Sequence, residues 1–220
     1  DVRGIAVEGV AGEKVNLLPE AVNRIAAGFV TFLEERLGKS ADQLRIAVGH
    51  DSRISAGMLK DALFQALTAM GVTVYDCGML DAGLFMSIVF PQTKMDGSIM
   101  ITASHLPYNR NGLKFFSEKG GLEKAEITDV LTRAGSEPVR SGDLVKVQPL
   151  DIISLYTAHL RGLIGKALDT AGAASFGDAI IVDAGNGSGG FFASQVLAPL
   201  GADTTGSQFL EPDGHFPNHI

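Results

Sequence analysis

The stretch that decides the fold runs from Ser98 to Phe116 and reads SIMITASHLPYNRNGLKFF. Its apolar start, Ile99 to Ile101, predicts a buried strand. Turn-forming proline, asparagine and glycine residues follow, and the chain then returns as a second apolar run. The pattern places Ser104, His105 and Lys114 on one tight turn at a strand end, where a rigid sheet can hold small reactive side chains in place.

Strands alternate with amphipathic helices on both sides of this stretch. Apolar residues at i, i+3 and i+4 spacing predict helices. Ser55 is the expected N-cap of the second one, and residues 1–4 are either a frayed terminus or a functional segment. The pattern predicts strands at 44–49, 72–75 and 97–102, helices at 19–38, 55–71 and 127–135, and a helix or a strand at 84–90. This alternation predicts βαβ units and a mainly parallel sheet.

A second unit begins after a connection rich in Gly, Ser, Pro and charge at 135–149. Its pattern predicts helices at 152–164 and 191–196 and strands at 179–182 and 202–205. We therefore expect an α/β chain of two consecutive three-layer α/β/α units with mainly parallel, mixed sheets, divided into 1–149 and 150–220.

Composition narrows the classes of partner. A formal net charge of −7 argues against a nucleic-acid partner, because no Lys/Arg cluster offsets it. No window approaches the ~18 apolar residues of a membrane span, so no membrane partner is expected. The single cysteine, Cys77, excludes an internal disulfide and favours a reducing compartment. We expect the cytoplasm, or an organelle stroma if a targeting segment upstream of Asp1 has been removed.

Ser104 suits phosphoryl chemistry better than acyl chemistry. The Gly-x-Ser-x-Gly elbow of many serine hydrolases is absent around Ser104 and Ser188. A serine on a loop with exposed amides can hold a phosphoryl group, and Lys114 can serve as its cation or as a proton shuttle. The alternative is a hydroxyl that only caps a turn. The polar run 50–53 follows another strand, and the carboxyl ends of parallel strands meet at one edge, so the two loops predict one site.

A glycine cluster offers a rival site. Gly185-x-Gly187-x-x-Gly190 fits a dinucleotide fingerprint, with Asp203 as the ribose ligand. A tight strand-to-helix turn and a helix N-terminus facing an anion explain the same residues. His159 lies beside an apolar helical stripe, where a structural role is expected.

Several separated motifs resemble one family. Thr102-Ala-Ser-His-Leu-Pro107, with Asn111-Gly-Leu-Lys114, resembles the phosphoserine loop of the α-D-phosphohexomutases, the phosphoglucomutase and phosphomannomutase superfamily. That family's loop reads Thr-Ala-Ser-His-Asn-Pro. Residues 1–4 (DVRG), 49–53 (GHDSR) and 212–219 (PDGHFPNH) are similar to further motifs of the family in the same order.

The resemblance implies that phosphorylated Ser104 exchanges its phosphoryl group with a hexose 1-phosphate or hexose 6-phosphate through a bisphosphate intermediate. It implies that Lys114, His105 and Arg3 orient the phosphoserine and move protons. It also implies Mg²⁺, with Ser104 supplying one oxygen, and hexose 1,6-bisphosphate as activator.

By the same resemblance, Arg53 and Asn111 support the substrate phosphate. Two departures, Leu106 for the family's asparagine and His50 for its arginine, bear on substrate preference. The substrate itself stays open among glucose, mannose and glucosamine phosphates.

The chain contains no Asp-x-Asp-x-Asp cluster of the kind that holds the family's metal. We therefore expect the amino-terminal half of a mutase, with the other Mg²⁺ ligands and carboxy-terminal domains III and IV outside this chain and little turnover by the half alone. The alternatives are a non-catalytic phosphosugar-binding module and, through the glycine cluster, a dinucleotide-dependent oxidoreductase.

Overall fold

The computed structural model describes residues 1–80, 82–168, 176 and 179–218. Its strands are β1 Val2–Ile5, β2 Arg45–His50, β3 Thr73–Met79, β4 Gly97–Ile101, β5 Arg110–Ser117, β6 Gly120–Gly121 and β7 Gln148–Pro149. They form one seven-stranded sheet in the order β1-β5-β4-β2-β3-β7, with β6 on β5. Strands β4, β2, β3 and β7 pair in parallel, whereas β1, β4 and β6 pair with β5 antiparallel. The mixed α/β fold is confirmed, with parallel pairing through the centre of the sheet.

The helices follow the apolar periodicity of the sequence. The first begins at a proline, and its last turn is closed by Gly38 at φ 63°, a left-handed conformation that glycine adopts without strain. The ambiguous 84–90 segment contains a short helix. The α-helices are α1 Pro19–Leu37, α2 Ala56–Ala69, α3 Met86–Val89, α4 Lys124–Ala134 and α5 Ile152–Ala167. In the described part of the chain, none is long and apolar enough to cross a membrane.

Ser55 precedes α2, but its side chain does not cap the helix. Its hydroxyl instead accepts a hydrogen bond of 2.8 Å from the buried Asn111 amide. Ser55 therefore occupies the predicted N-cap position, while its hydroxyl satisfies a buried amide that would be costly to leave without a partner.

Helices cover both faces of the sheet, because residues alternate between the faces along each strand. Ile46 and Ile99 pack among α1, α2 and α4, whereas Ala47 and Met100 face α3 and the start of α5. Residues 1–168 therefore contain the expected three layers. Each fully buried Ile or Leu in this core contributes roughly 1.5–3 kcal/mol.

Residues 1–4 lie largely in a strand. β1 pairs with β5 and brings Arg3 opposite Gly112. A Cβ at Gly112 would lie 2.3 Å from the carbonyl oxygen of Val2. Glycine is required there because the two backbones approach so closely.

The second unit differs from expectation. Its two predicted strands are reduced to isolated parallel bridges, Ala179 with Asp203 and Asp183 with Gln208. Two bridges bury little apolar surface, and α5 packs instead on both the sheet and a small cluster around Val196. The predicted helix at 191–196 appears as a π-helical turn, Phe192–Leu197. The division at 149/150 and the second three-layer unit stay predictions.

Candidate active site

Two polar loops lie together at the carboxyl edge of the sheet, as predicted. β2 and β4 are parallel neighbours that end in register at His50 and Ile101. The backbone N–H of Asp51 donates to the Ile101 carbonyl oxygen at 3.1 Å, so the loops begin in direct contact. This edge is where α/β sheets bind ligands.

Ser104 is exposed on the second loop and has φ 58°. Positive φ is uncommon for a residue with a Cβ and costs free energy unless neighbouring contacts hold it. The Ser104 N–H donates to Thr102 Oγ1 at 3.0 Å, and Thr102 Oγ1 donates to Asp51 Oδ2 at 2.7 Å. A chain of hydrogen bonds thus ties the serine to the neighbouring loop.

Arg53 lies beneath this loop and is only 2% exposed. Its guanidinium binds backbone carbonyls of the Ser104 loop and the Asp51 carboxylate. Burial lowers the pKa of Arg53, and Asp51 opposes that shift. The sequence predicts a phosphate-supporting role, whereas the structure surrounds the side chain with protein acceptors.

Asn111 is also enclosed by protein. Its side chain is buried, donates to Ser55 Oγ and accepts from the Gly112 N–H at 2.8 Å. The structure therefore places Asn111 within the turn, as a group that shapes the path from the loop into β5.

A cavity of about 560 Å³ opens above the loop. Ser104, His105 and Lys114 line it together, as the sequence predicts. The His105 Nδ1 lies 3.4 Å from Ser104 Oγ. This separation exceeds an ordinary hydrogen bond, although pairs that act in catalysis are often looser without substrate.

Two cations stand near the cavity on the β1–β5 side. Lys114 Nζ is 3.7 Å from Asp1 Oδ2, and an Arg3 nitrogen is 3.2 Å from the same oxygen. Exposed pairs of this kind are weak, so an anionic ligand can compete for both cations. Lys114 lines the cavity, whereas Arg3 lies beside it on the edge strand.

The second unit supplies the opposite wall of the cavity, with Gly187, Ser188 and Phe216. Ser52 Oγ donates to the Asn186 carbonyl oxygen at 3.3 Å, which joins the two units beside the site. A Cβ on Gly214 would lie 2.4 Å from the Ser52 carbonyl oxygen, so the segment 212–218 packs tightly on the 50s loop.

The glycine cluster at 185–190 forms part of this cavity wall. Gly187 and Ser188 line the same cavity as Ser104, and the Asp203 carboxylate accepts from the Thr205 N–H at 2.9 Å. His159 lies outside the cavity, with its ring against Phe90 at 6.0 Å. Of the 212–219 motif, His219 lies outside the described residues.

Leu106, which stands where the family's motif has asparagine, does not line the Ser104 cavity. Leu106 lines a second cavity, of about 520 Å³, between the Ser104 loop and the segment containing His215 and Pro217. His50 does not line the Ser104 cavity, and its Nδ1 lies 2.8 Å from the Asp51 carbonyl oxygen.

Asp51, Thr102, Ser188 and Phe216 lie in motifs identified from the sequence, but none of them was assigned a role in the site. Asp51 sits two residues before Arg53, and this Asp-x-Arg spacing at a strand end was a usable signal. The contributions of Ser188 and Phe216 depend on how the two units pack, which periodicity does not encode.

The fit of Mg²⁺ to these residues is incomplete. Within the described residues, no three His, Cys, Asp or Glu side chains are grouped to hold a metal. The Asp51 carboxylate, which lines the cavity, already accepts from Arg53 and Thr102. These residues alone do not form a Mg²⁺ site.

A mixed sheet with a serine, a histidine and a lysine around one cavity at its carboxyl edge defines an α/β protein with a candidate ligand site at that edge. The family model "Phosphoglucomutase/phosphomannomutase, alpha/beta/alpha domain I" matches residues 1–139. The chain is 32% identical over 220 aligned residues to the phosphoglucosamine mutase of Sulfurovum sp. (strain NBC37-1), covering 94% of this chain and 46% of that protein. The chain belongs to the phosphoglucomutase/phosphomannomutase family.

A second relative and a solved structure are also similar to this chain. A phosphoglucomutase/phosphomannomutase of Thermococcus kodakarensis is 29% identical over 215 residues, covering 96% of this chain and 45% of that protein. A crystal structure of a phosphoglucomutase/phosphomannomutase family protein from Burkholderia thailandensis shares the fold, with a TM-score of 0.74 at 24% identity. That match covers 99% of this chain and 45% of the other. The chain thus spans about half the length of these relatives.

Proposed function

We propose that this chain is the amino-terminal part of a phosphohexomutase and that Ser104 is its phosphoryl carrier. The observation that carries the proposal is the exposed Ser104, held at positive φ in a cavity that His105 and Lys114 also line. An exposed hydroxyl with a proton acceptor and a cation beside it is suited to accepting and releasing a phosphoryl group.

In the proposed reaction, a free hydroxyl oxygen of a hexose monophosphate attacks the phosphorus on Ser104. The bond from phosphorus to Ser104 Oγ breaks, and the hydroxyl proton leaves to a base. The bisphosphate then turns around and returns its other phosphoryl group to Ser104. Such transfer depends on positioning and charge neutralisation more than on further covalent chemistry.

We assign roles by contact. His105, nearest to Ser104 Oγ, holds or moves the proton at that oxygen. Lys114 neutralises charge on the phosphoryl group inside the cavity, and Arg3 adds positive charge at its margin. Both cations can be released from Asp1 at low cost because their ion pairs are exposed.

Mg²⁺ enters the proposal only as a partner of phosphorylated Ser104. When bound, the ion would neutralise phosphoryl charge. Ser104 would contribute one oxygen, and we propose that the other ligands lie outside this chain, because the described residues contain no group of three His, Cys, Asp or Glu side chains.

The substrate class follows from the relatives. Their names specify glucosamine, glucose and mannose phosphates, so we propose a hexose monophosphate from this group as substrate and the bisphosphate as activator. Because the chain covers about 45% of these relatives, we propose little or no turnover by the chain alone. Normal mutase activity of the purified chain with glucose 1-phosphate and Mg²⁺ would contradict the proposal of little or no turnover.

Phosphorylation tests the carrier role separately from turnover. After incubation with glucose 1,6-bisphosphate, intact-mass measurement should find one added phosphoryl group per chain, and Ser104→Ala should abolish it. If the wild type gains none while still binding glucose 1-phosphate, the chain is instead a non-catalytic phosphosugar-binding module.

A further inference from the structure

We propose that Arg53 is a positioning residue for Ser104, a role that rests on the proposed phosphoryl transfer. It fixes the backbone of the Ser104 loop and does not bind the substrate phosphate. The observation behind this inference is that its guanidinium is buried beneath the loop with every donor group directed at protein oxygen.

All three nitrogens of the Arg53 guanidinium donate hydrogen bonds to protein oxygen atoms. Nη2 donates to the carbonyl oxygens of Ser104 at 2.8 Å and Leu106 at 2.7 Å. Nη1 donates to the carbonyl oxygens of Pro107 and Arg110, both at 2.8 Å. Nε donates to Asp51 Oδ2 at 3.2 Å. A guanidinium has five N–H donors, so none is left for a substrate phosphate.

Arg53 lines the second cavity, with Leu106, and does not line the cavity that Lys114 lines. The Phe216 ring lies over the guanidinium, 5.1 Å from the ring centroid to Cζ. Asp51 balances the charge, accepting from both the backbone N–H and Nε of Arg53. A buried charge held in this way gains its stability from the protein, and leaving it for a ligand would break several charge-assisted hydrogen bonds.

The four carbonyl contacts determine the course of the loop. They hold residues 104, 106, 107 and 110, which flank the strained φ of Ser104 on its carboxyl side. Thr102 holds the Ser104 N–H on the other side. Ser104 is therefore clamped at both its N–H and its carbonyl, and the carbonyl clamp is Arg53. Lysine cannot replace this clamp, because an ammonium is a compact charge without a planar fork.

The test compares Arg53→Lys with Arg24→Lys, a matched change at an exposed position of α1. At saturating glucose 1,6-bisphosphate, Arg53→Lys should slow phosphorylation of Ser104 about 100-fold, the scale of a misplacement of about 1 Å. The half-saturating bisphosphate concentration should not change, and Arg24→Lys should behave as wild type. An unchanged phosphorylation rate in Arg53→Lys would overturn the inference. If the half-saturating bisphosphate concentration rises at that unchanged rate, Arg53 is instead a phosphate ligand.

A second measurement does not require the variant to fold or Ser104 to become phosphorylated. In ¹⁵N-labelled wild-type protein, the five guanidinium protons of Arg53 should give separate, slowly exchanging NMR signals, unchanged by inorganic phosphate. Averaged signals, or signals that shift with phosphate, would overturn the positioning role. If wild-type Ser104 is never phosphorylated but the Arg53 signals stay separate, the proposed function fails while the clamp stands.

Discussion

Ser104 occupies a backbone conformation that residues with a Cβ rarely adopt. Strain of this kind persists only where surrounding contacts impose it, and it concentrates at functional positions. Here the contacts come from Thr102 and Arg53. A serine that only capped a turn would not need hydrogen bonds at both its N–H and its carbonyl.

The strain at Ser104 can be measured by comparing two substitutions. Ser104→Gly should be more stable than Ser104→Ala by about 0.5–1 kcal/mol. Removing the Cβ relieves about 1–2 kcal/mol of backbone strain at positive φ. Glycine also makes the unfolded chain more flexible, which lowers stability by about 0.4–1 kcal/mol, so the relief of strain is the larger effect. Urea denaturation of both variants measures the difference, and a less stable glycine variant would show that the conformation is not strained.

Cys77 should resist alkylation while the protein is folded. Burial, with a smaller effect of the Asp76 carboxylate, raises the pKa of its thiol to about 12 from a usual 9.0. At pH 8 the thiolate fraction is then about a thousandfold below that of an unfolded chain. Iodoacetamide labelling with and without urea checks this, and equal rates would contradict it.

The raised pKa of Cys77 should also make the free energy of unfolding fall at high pH. The raised pKa of Cys77 makes no difference to unfolding free energy below about pH 9, because the thiol is then protonated in both states. As the pH rises from there through about 12, the unfolded chain loses its proton first. Stability should therefore fall across this window, and less steeply in Cys77→Ala.

The sequence predicts that Ser104, His105 and Lys114 lie together but does not predict which side chains hold Ser104 in place. Ser104, His105 and Lys114 share one segment, so local pattern brings them together. Arg53 was expected at the substrate phosphate, yet its four carbonyl acceptors lie more than 50 residues away in the chain. Which end of a long side chain meets solvent is decided by tertiary packing, which spacing alone does not report.

Among the elements, those with long apolar periodicity were predicted well. α1, α2 and α4, and the strands β2 and β4, lie within a few residues of their expected bounds. The short strand expected at 72–75 also formed, as β3, whereas the patterns at 84–90 and after residue 178 were ambiguous or failed. The strands expected at 179–182 and 202–205 form only isolated bridges, because a β-propensity run becomes a strand only when neighbours supply a ladder.

Phe29 anchors α1 to the sheet, and its removal should be costly. Its ring is fully buried and lies 4.8 Å from that of Phe115, between centroids. Phe29→Ala should lower the free energy of unfolding by about 3–5 kcal/mol, through lost burial and the cavity that remains. Leu18→Ala, at a position 47% exposed, is the control and should stay within about 0.5 kcal/mol. Equal urea midpoints for the two variants would contradict this account of the core.

On the scale of the whole molecule, the second unit is held against the Ser104 loop. The segment 212–218 reaches the 50s loop at Gly214 and covers Arg53 with Phe216. The cavity wall opposite Ser104 therefore depends on this packing, and the site requires both units.

Gly214→Ala should loosen this packing. The added Cβ would meet backbone atoms of Ser52 and Ile54 at 2.4 and 2.6 Å, and backbone cannot move aside cheaply. We expect about 1–3 kcal/mol of destabilisation and faster proteolysis within 205–218. Gly162→Ala has nothing within 4 Å of the new Cβ and should not be destabilised. Equal protease sensitivity of the two variants would show that the contact is not close.

The proposed function depends most directly on Ser104 as the carrier of the phosphoryl group. Three serines line the cavity, Ser52, Ser104 and Ser188, so the most direct measurement is peptide mapping after incubation with glucose 1,6-bisphosphate. The phosphoryl group should lie on Ser104 in the wild type and be absent from every peptide of Ser104→Ala. Phosphate on Ser52 or Ser188 of the wild type, or phosphate that persists in Ser104→Ala, would contradict the claim.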